Sequence, residues 1–344
     1  MTTNKPNEKP RIGITIGDLN GVGPEVVMKA LDDNRILSLI TPVIYGSTRA
    51  VSFFKKSMNM DEFNFLQVKA KGQFAPKHVN VVNCWEETIE INPGKPSVDT
   101  GRAAFKAIEW ASNELKEGLI DALVTAPIDK NTIHSESFPF RGHTEYLTDF
   151  FGAQESLMLM CSENLKVGLV TEHIAVRDIP TFITKDRILS KILLMEQSLQ
   201  KDFGIAKPKI AVLGLNPHAG DGGLLGKEEE EIIRPLIVEL KNKGKLISGP
   251  FPADGFFGSN AMRKFHGVMA MYHDQGLVAF KALNFESGVN FTAGLNVIRT
   301  SPDHGTGYSI AGKKLAHEGS MREAIYTACD ILKLRSEPSK EKLH

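Results

Sequence analysis

The 344-residue sequence predicts an α/β protein with a largely parallel sheet. Short apolar runs recur along the chain, and each breaks abruptly into a polar or glycine-bearing turn. Stretches with helical periodicity separate those runs. The composition, 42% hydrophobic and 24% charged, is that of an ordinary globular chain. The length exceeds what one compact domain needs, so either two domains or one large α/β unit is expected, with a core that requires no covalent staples.

The elements follow in order. Arg11 to Ile16 is a strand that runs into Gly17-Asp18-Leu19-Asn20-Gly21-Val22-Gly23-Pro24-Glu25, a glycine-rich turn with Pro24 at a first helical position. Pro42 to Tyr45 and Val79 to Asn83 are further strands. Gly101 to Glu117 is the clearest helix, because Ala103, Ala104, Ala107, Ile108, Ala111 and Leu115 share one face and Gly118 stops it. Strands follow at Ile120 to Thr125, Lys166 to Thr171, Lys209 to Leu215 and Val268 to Tyr272. Helices are expected over Thr184 to Gln200, Glu228 to Lys243 and Ser320 to Leu334. The second has acidic residues in its first turn and lysines in its last, as the helix dipole favours. Asn290 to Thr292 and Asn296 to Thr300 read as short strands. The polar stretches Lys5 to Pro10 and Ser336 to His344 read as frayed ends.

Composition excludes several classes. Forty-one basic and 41 acidic residues give a formal net charge of +0, which offers no electrostatic footprint for nucleic acid or an anionic membrane. The first residues lack the apolar core of a signal peptide, and no apolar run approaches a membrane span. Cys84, Cys161 and Cys329 are scattered and odd in number, which suits a reducing cytoplasm rather than a disulfide framework. A serine nucleophile elbow and a phosphate-binding P-loop are both absent.

Three histidines share one grammar. The strand at Lys166 exits to His173, that at Lys209 to Asn216-Pro217-His218, and that at Val268 to Tyr272-His273-Asp274-Gln275-Gly276. If the strands are parallel, all three imidazoles emerge on one sheet edge, where ligands collect in open α/β sheets. Three histidines with an open fourth position form a catalytic metal geometry. Taken singly, each reads as a hydrogen-bonded or exposed histidine; only the matching positions of all three raise the metal reading. Gly17 to Glu25 fails as a dinucleotide fingerprint: Val26 stands where a third glycine is wanted, and the next strand ends in Gly46-Ser47 without an acidic ribose ligand. Ala219-Gly220-Asp221-Gly222-Gly223 is a flexible turn or a ligand loop, and Asp303-His304-Gly305-Thr306-Gly307 is a loop able to offer amides to phosphate. Arg141-Gly142-His143-Thr144-Glu145 is either a helix start capped by Thr144 or a pair of substrate donors. Lys281, Asn290 and Arg299 are solvated residues individually and an anion site collectively.

On these residues the chain resembles the 4-hydroxythreonine-4-phosphate dehydrogenase family of pyridoxal phosphate (vitamin B6) biosynthesis. The matching segments are Gly17–Glu25, Thr125–Lys130, Gly142–Glu145, Asn216–Gly220, Gly249–Asp254, Tyr272–Gly276 and Gly288–Thr306, which together run over nearly the whole chain. The resemblance implies an isocitrate/isopropylmalate dehydrogenase-like fold. Two α/β domains are then expected, residues 1–135 with 300–344 and residues 136–299, with the active site in the cleft between them. It implies a homodimer whose active site is shared between subunits, NAD or NADP, and one divalent metal per site (Zn, Mg or Co). It implies metal ligands at His173, His218 and His273, substrate contacts at His143, Thr144, Lys281, Asn290 and Arg299, and a nucleotide loop at His304, Gly305 and Thr306. The sequence departs from the family in having Leu19 where proline is common and Gly255 where threonine is common; Gly255 is expected to loosen the loop beside Asp254.

The implied reaction oxidises 4-phosphohydroxy-L-threonine to 2-amino-3-oxo-4-phosphooxybutanoate, which decarboxylates to 3-amino-2-oxopropyl phosphate. Lys281 is the candidate for proton transfer or phosphate binding, and Asp254 and Asp274 for orienting the metal histidines. Dehydrogenation of a phosphorylated threonate or erythronate on the same fold, and metal-assisted hydrolysis through the three histidines, are the alternatives.

Overall fold

The computed structural model describes residues 9–135, 138–140 and 142–337. Arg141 and most of the two stretches expected to fray lie outside the described residues.

The chain forms two compact units, Met1–Gln154 with Leu295–Leu332, and Glu155–Gly294 with Lys333–His344. The segment 138–154, expected in the second domain, therefore clusters with the first. Strands are numbered in chain order. The first unit opens with β1 (Arg11–Thr15), β2 (Thr41–Gly46), β3 (Phe65–Gln67), β4 (Val79–Asn83) and β5 (Ala122–Thr125). The second holds β6 (Leu157–Cys161), β7 (Lys166–Leu169), β8 (Ile210–Leu213), β9 (Ile247–Phe251), β10 (Gly267–Ala270) and β11 (Val289–Ala293). The chain then returns to the first unit with β12 (Arg299–Pro302).

In the first unit the strand order is β3-β4-β2-β1-β5-β12, and every pairing is parallel. Its strands are apolar on both faces, as β2 shows with all six residues buried; sheets covered by helices on both sides need that pattern. The helix Val98–Lys116 lies against this sheet through the small-residue face expected of it. Ser97 caps it, accepting from the Asp99 N–H.

In the second unit the order is β11-β6-β7-β10-β8-β9. The pairs β11–β6 and β6–β7 are antiparallel, and the rest are parallel. Its core joins Met160, Val167, Leu169, Leu213, Val268, Leu277 and Phe280. Each such large side chain contributes about 1.5–3 kcal/mol by leaving water.

Several elements differ from the sequence reading. The run Leu157–Cys161 is a strand buried along its whole length, so it shows no alternation to mark it. Strand β9 contains Gly249 and Pro250, which argue against a strand; the sheet tolerates them because β9 is its edge. The acidic turn Glu229–Ile233 is π-helical and gives way to an α-helix at Arg234–Asn242. Pro235 has no N–H to return to the Glu231 carbonyl, which accounts for the wider turn. Gly255 lies inside the helix Ala253–Gly258 rather than loosening a loop, and its α-carbon faces open space.

Candidate active site

Strands β7, β10 and β8 lie side by side and parallel, so their C-terminal ends open on one edge, as the histidine pattern requires. His173 follows β7 and His273 follows β10, and their ring centroids stand 5.9 Å apart with planes tilted by 40°. His273 is the first residue of the helix His273–Asn284 rather than part of a strand end. Its Nδ1 lies 2.7 Å from the Asp274 carboxylate. With Nδ1–H donating there, the Nε2 lone pair is left for a ligand. Asp254 is exposed in its own helix and makes no hydrogen bond to a histidine among the described residues.

Gln275 fixes this edge. Its amide oxygen accepts from the Met271 N–H at 2.7 Å and its amide nitrogen donates to the Gly214 carbonyl at 2.6 Å. One side chain thus spans the ends of β10 and β8. Thr171 adds a second tie, its hydroxyl donating to the Met271 carbonyl at 2.8 Å.

His218 sits in an unusual turn. From His218 to Gly222 every residue is left-handed, with φ of 53°, 50°, 82°, 45° and 63°. Each non-glycine residue held there costs about 1–2 kcal/mol, and backbone strain of this kind clusters at functional sites. Among the described residues no three His, Cys, Asp or Glu side chains stand close enough to hold a metal ion within one chain. The structure brings the rings of His173 and His273 together, and His218 does not complete a metal-holding group with them among the described residues. Two neighbouring imidazoles, one with its Nδ1 beside a carboxylate, are donors of the kind a borderline divalent cation takes.

The first unit holds two of the sequence-predicted substrate residues in buried settings, Arg299 and His143. Arg299 opens β12 with 2% exposure, and its Nε and Nη2 donate to the Thr125 hydroxyl at 3.0 and 2.7 Å. Burial pulls its guanidinium down to about 9, so a neighbouring anion would restabilise the charge. His143 begins the helix His143–Phe150 behind Gly142, so Thr144 lies within the first turn rather than capping it. Phe105, Phe138, Phe140 and Tyr146 pack edge-on around that start, which explains the apolar residues beside the polar knot. Burial first, then the positive charges of Arg299 and Lys130, hold the His143 imidazole well below its ordinary 6.5. Its Nε2 is enclosed without a hydrogen-bond partner among the described residues. In the second unit the enclosed Oδ1 of Asn290, on β11, is equally unpartnered, and half-buried Lys281 lies in the helix His273–Asn284. Buried polar atoms left this way are expected where a ligand will bind.

The two glycine-bearing loops of the first unit meet. The Val22 N–H donates to the Thr306 carbonyl at 2.8 Å, and a side chain at Gly21 would strike that carbonyl. His304 turns its Nδ1 toward the Gly305 carbonyl at 3.0 Å, leaving Gly305 exposed. Tyr308 anchors the loop, its hydroxyl 2.9 Å from Asp18 and 3.0 Å from Asp129. Burial and the Asp18 charge push the phenol up, so it stays a donor. The Gly17–Glu25 turn is thus the bed of the loop containing His304, Gly305 and Thr306.

Sequence reasoning gave no individual role to Thr125, Lys130, Gln275, Tyr308 or Glu229. The last was read as dipole compensation, yet it is wholly buried and bonded to the backbone ahead of His218.

The model of the pyridoxal phosphate biosynthetic protein PdxA family matches residues 38–328. The chain belongs to this family. It is 51% identical over 328 residues to the 4-hydroxythreonine-4-phosphate dehydrogenase of Bacteroides thetaiotaomicron, covering 95% of this chain and 90% of that protein. It is 41% identical over 326 residues to the enzyme of the same name from a Sulfurihydrogenibium strain, covering 94% and 99%. The crystal structure of the Klebsiella pneumoniae 4-hydroxythreonine-4-phosphate dehydrogenase superposes with a TM-score of 0.81 at 33% identity, over 95% of this chain and 99% of that one. PdxA membership accounts for the spread of matching motifs along both units.

Proposed function

We propose that this PdxA-family chain is a 4-hydroxythreonine-4-phosphate dehydrogenase of pyridoxal phosphate biosynthesis, an oxidoreductase acting on 4-phosphohydroxy-L-threonine. The 51% identity to a protein of that name, sustained over 95% of the chain, carries the reading. The product, 2-amino-3-oxo-4-phosphooxybutanoate, is a β-keto acid that loses carbon dioxide to give 3-amino-2-oxopropyl phosphate.

His173, His218 and His273 would hold one divalent cation, and the loop of His304, Gly305 and Thr306 would seat NAD or NADP. When bound, the cation supplies Lewis-acid polarisation of the substrate hydroxyl and the nicotinamide accepts hydride. The juxtaposed rings of His173 and His273 and the exposure of Gly305 support these assignments. Arg299, its charge held in a buried setting beside Thr125, binds the phosphate or carboxylate. His143 stays neutral at physiological pH and offers its unpartnered Nε2 to the substrate, with Thr144 one residue on. Asn290 contributes its enclosed amide, and Lys281 binds phosphate or carries the proton. Asp274 fixes the tautomer of His273.

A homodimer with shared sites is part of the reading. Its support is that no three-ligand group forms within one chain among the described residues, while Val278, Phe285 and Leu224 of the second unit are apolar and 67–79% exposed. Three unpaired cysteines favour a cytoplasmic location, and no helix among the described residues is long and apolar enough to cross a membrane.

The deciding experiment mixes protein, divalent metal, NAD and 4-phosphohydroxy-L-threonine and follows absorbance at the NADH band. Appearance of the band only with substrate and metal is expected. Turnover of phosphorylated threonate or erythronate in its place would reassign the substrate, and phosphate release without nicotinamide would favour the hydrolase.

A further inference from the structure

We propose that Glu229 is a positioning residue: its buried carboxylate holds the left-handed turn that presents His218, and thereby sets the affinity of the metal site. The inference rests on reading His218 as a metal ligand. Glu229 is 0% exposed. Its Oε1 accepts from the backbone N–H groups of Leu215 and Asn216, both at 2.7 Å. Its Oε2 accepts from the Asn216 side-chain amide at 2.9 Å. These are the residues immediately before Pro217-His218, so the carboxylate grips the chain where it enters the left-handed run.

The surroundings are shaped for that carboxylate. A side chain at Gly214 would come within 3.0 Å of Oε1, and one at Gly220 within 2.7 Å of Oε2. The turn thus folds back over Glu229, and the space it needs exists because both positions are glycine. The π-helical turn Glu229–Ile233 puts this side chain, one of four consecutive glutamates, against the loop. Its neighbour Glu231 stays at the surface, at 4.0 Å from Lys227.

The group must accept only. Three donors converge on it, and the Asn216 amide nitrogen is simultaneously held by Glu228 at 2.8 Å. A glutamine at 229 would turn an N–H₂ group toward that amide, donor against donor, and turning the Asn216 amide over would face its oxygen to the Glu228 carboxylate. Shape alone therefore does not preserve the arrangement; two acceptor oxygens do.

The test is a cobalt titration of metal-free protein, read from the visible ligand-field bands of the ion. Glu229→Gln should weaken Co²⁺ binding about 10–100-fold and alter the band shape, as loss of a group orienting a ligand does. Glu231→Gln should match the unsubstituted protein. Asn216→Ser removes one of the three bonds and should shift affinity in the same direction by less, which keeps the question open to measurement should Glu229→Gln not fold. Unchanged affinity and spectrum in folded Glu229→Gln and Asn216→Ser proteins would overturn the proposal, provided His218→Ala abolishes the bands. Bands retained in His218→Ala would overturn the ligand role of His218 instead, so the two failures are distinguishable.

Discussion

His173 and His273 face each other across the neighbouring ends of β7 and β10, their ring centroids 5.9 Å apart. The two residues are a hundred positions apart in sequence, and the parallel pairing of Val268 with Val167 and of Ala270 with Leu169 brings their strands together. Removing either imidazole should remove half of this converging pair. His173→Ala should abolish zinc retention in equilibrium dialysis and with it metal-dependent turnover. Wild-type stoichiometry and affinity in the variant would exclude His173 as a ligand.

The proposed sharing of the site between subunits has its own signature. His173→Ala and His218→Ala proteins should each be inactive. Mixed after partial denaturation and refolding, they should recover about a quarter of wild-type activity, because half of the random dimers carry one intact site of two. Absence of recovery would mean that one subunit supplies both ligands.

Arg299 should bind a substrate anion through a fork that a shorter side chain cannot reproduce. Arg299→Ala should raise KM for the phosphorylated substrate about 10–100-fold, the range for losing a charged hydrogen bond, with a smaller change in kcat. If steady-state kinetics show neither constant moved, Arg299 is not a substrate residue.

Tyr308 should act on the nucleotide rather than on the alcohol. Its hydroxyl bonds to Asp18 and Asp129, and its loop lies on Val22. Tyr308→Phe should raise KM for the dinucleotide about tenfold at near-constant kcat. An effect on kcat alone, with dinucleotide KM unchanged, would contradict this.

His143 predicts an acid-side loss of stability. Its folded-state value lies well below 6.5, so as pH falls through 6.5 the unfolded chain takes up a proton that the folded chain refuses. Stability therefore rises with pH across that region and is lost below it. Urea denaturation from pH 7.5 down to 5 should show a shallower loss in His143→Gln than in the wild type. Identical slopes would place the acid sensitivity elsewhere.

The legible parts of this protein are those written in local chemistry. Strand β4 appeared in the sequence with its observed boundaries, and the helix Val98–Lys116 only three residues short at its start, because periodicity and capping are short-range signals. The three strand-exit histidines were legible for the same reason: an apolar run that stops at a polar group announces where it surfaces. The glycine turn at Gly17 was legible as a failed nucleotide fingerprint, though not as the bed of the Thr306 loop.

What the sequence by itself determined was the α/β class, the sheet edge that gathers the chemistry, and the residue types present there. Tertiary structure alone decided which groups meet. Glu229 reads as one of the acidic residues in a helix's first turn until a π-helical turn buries it under Gly220. Gln275 reads only as part of a polar strand exit until β10 and β8 lie side by side for it to span. The glycines after His218 mark a turn, but that His218, Ala219 and Asp221 are themselves left-handed is not legible, because their side chains disfavour it. Local propensity extends only a few residues, whereas burial, strain and hydrogen-bond partnership depend on segments brought together by folding.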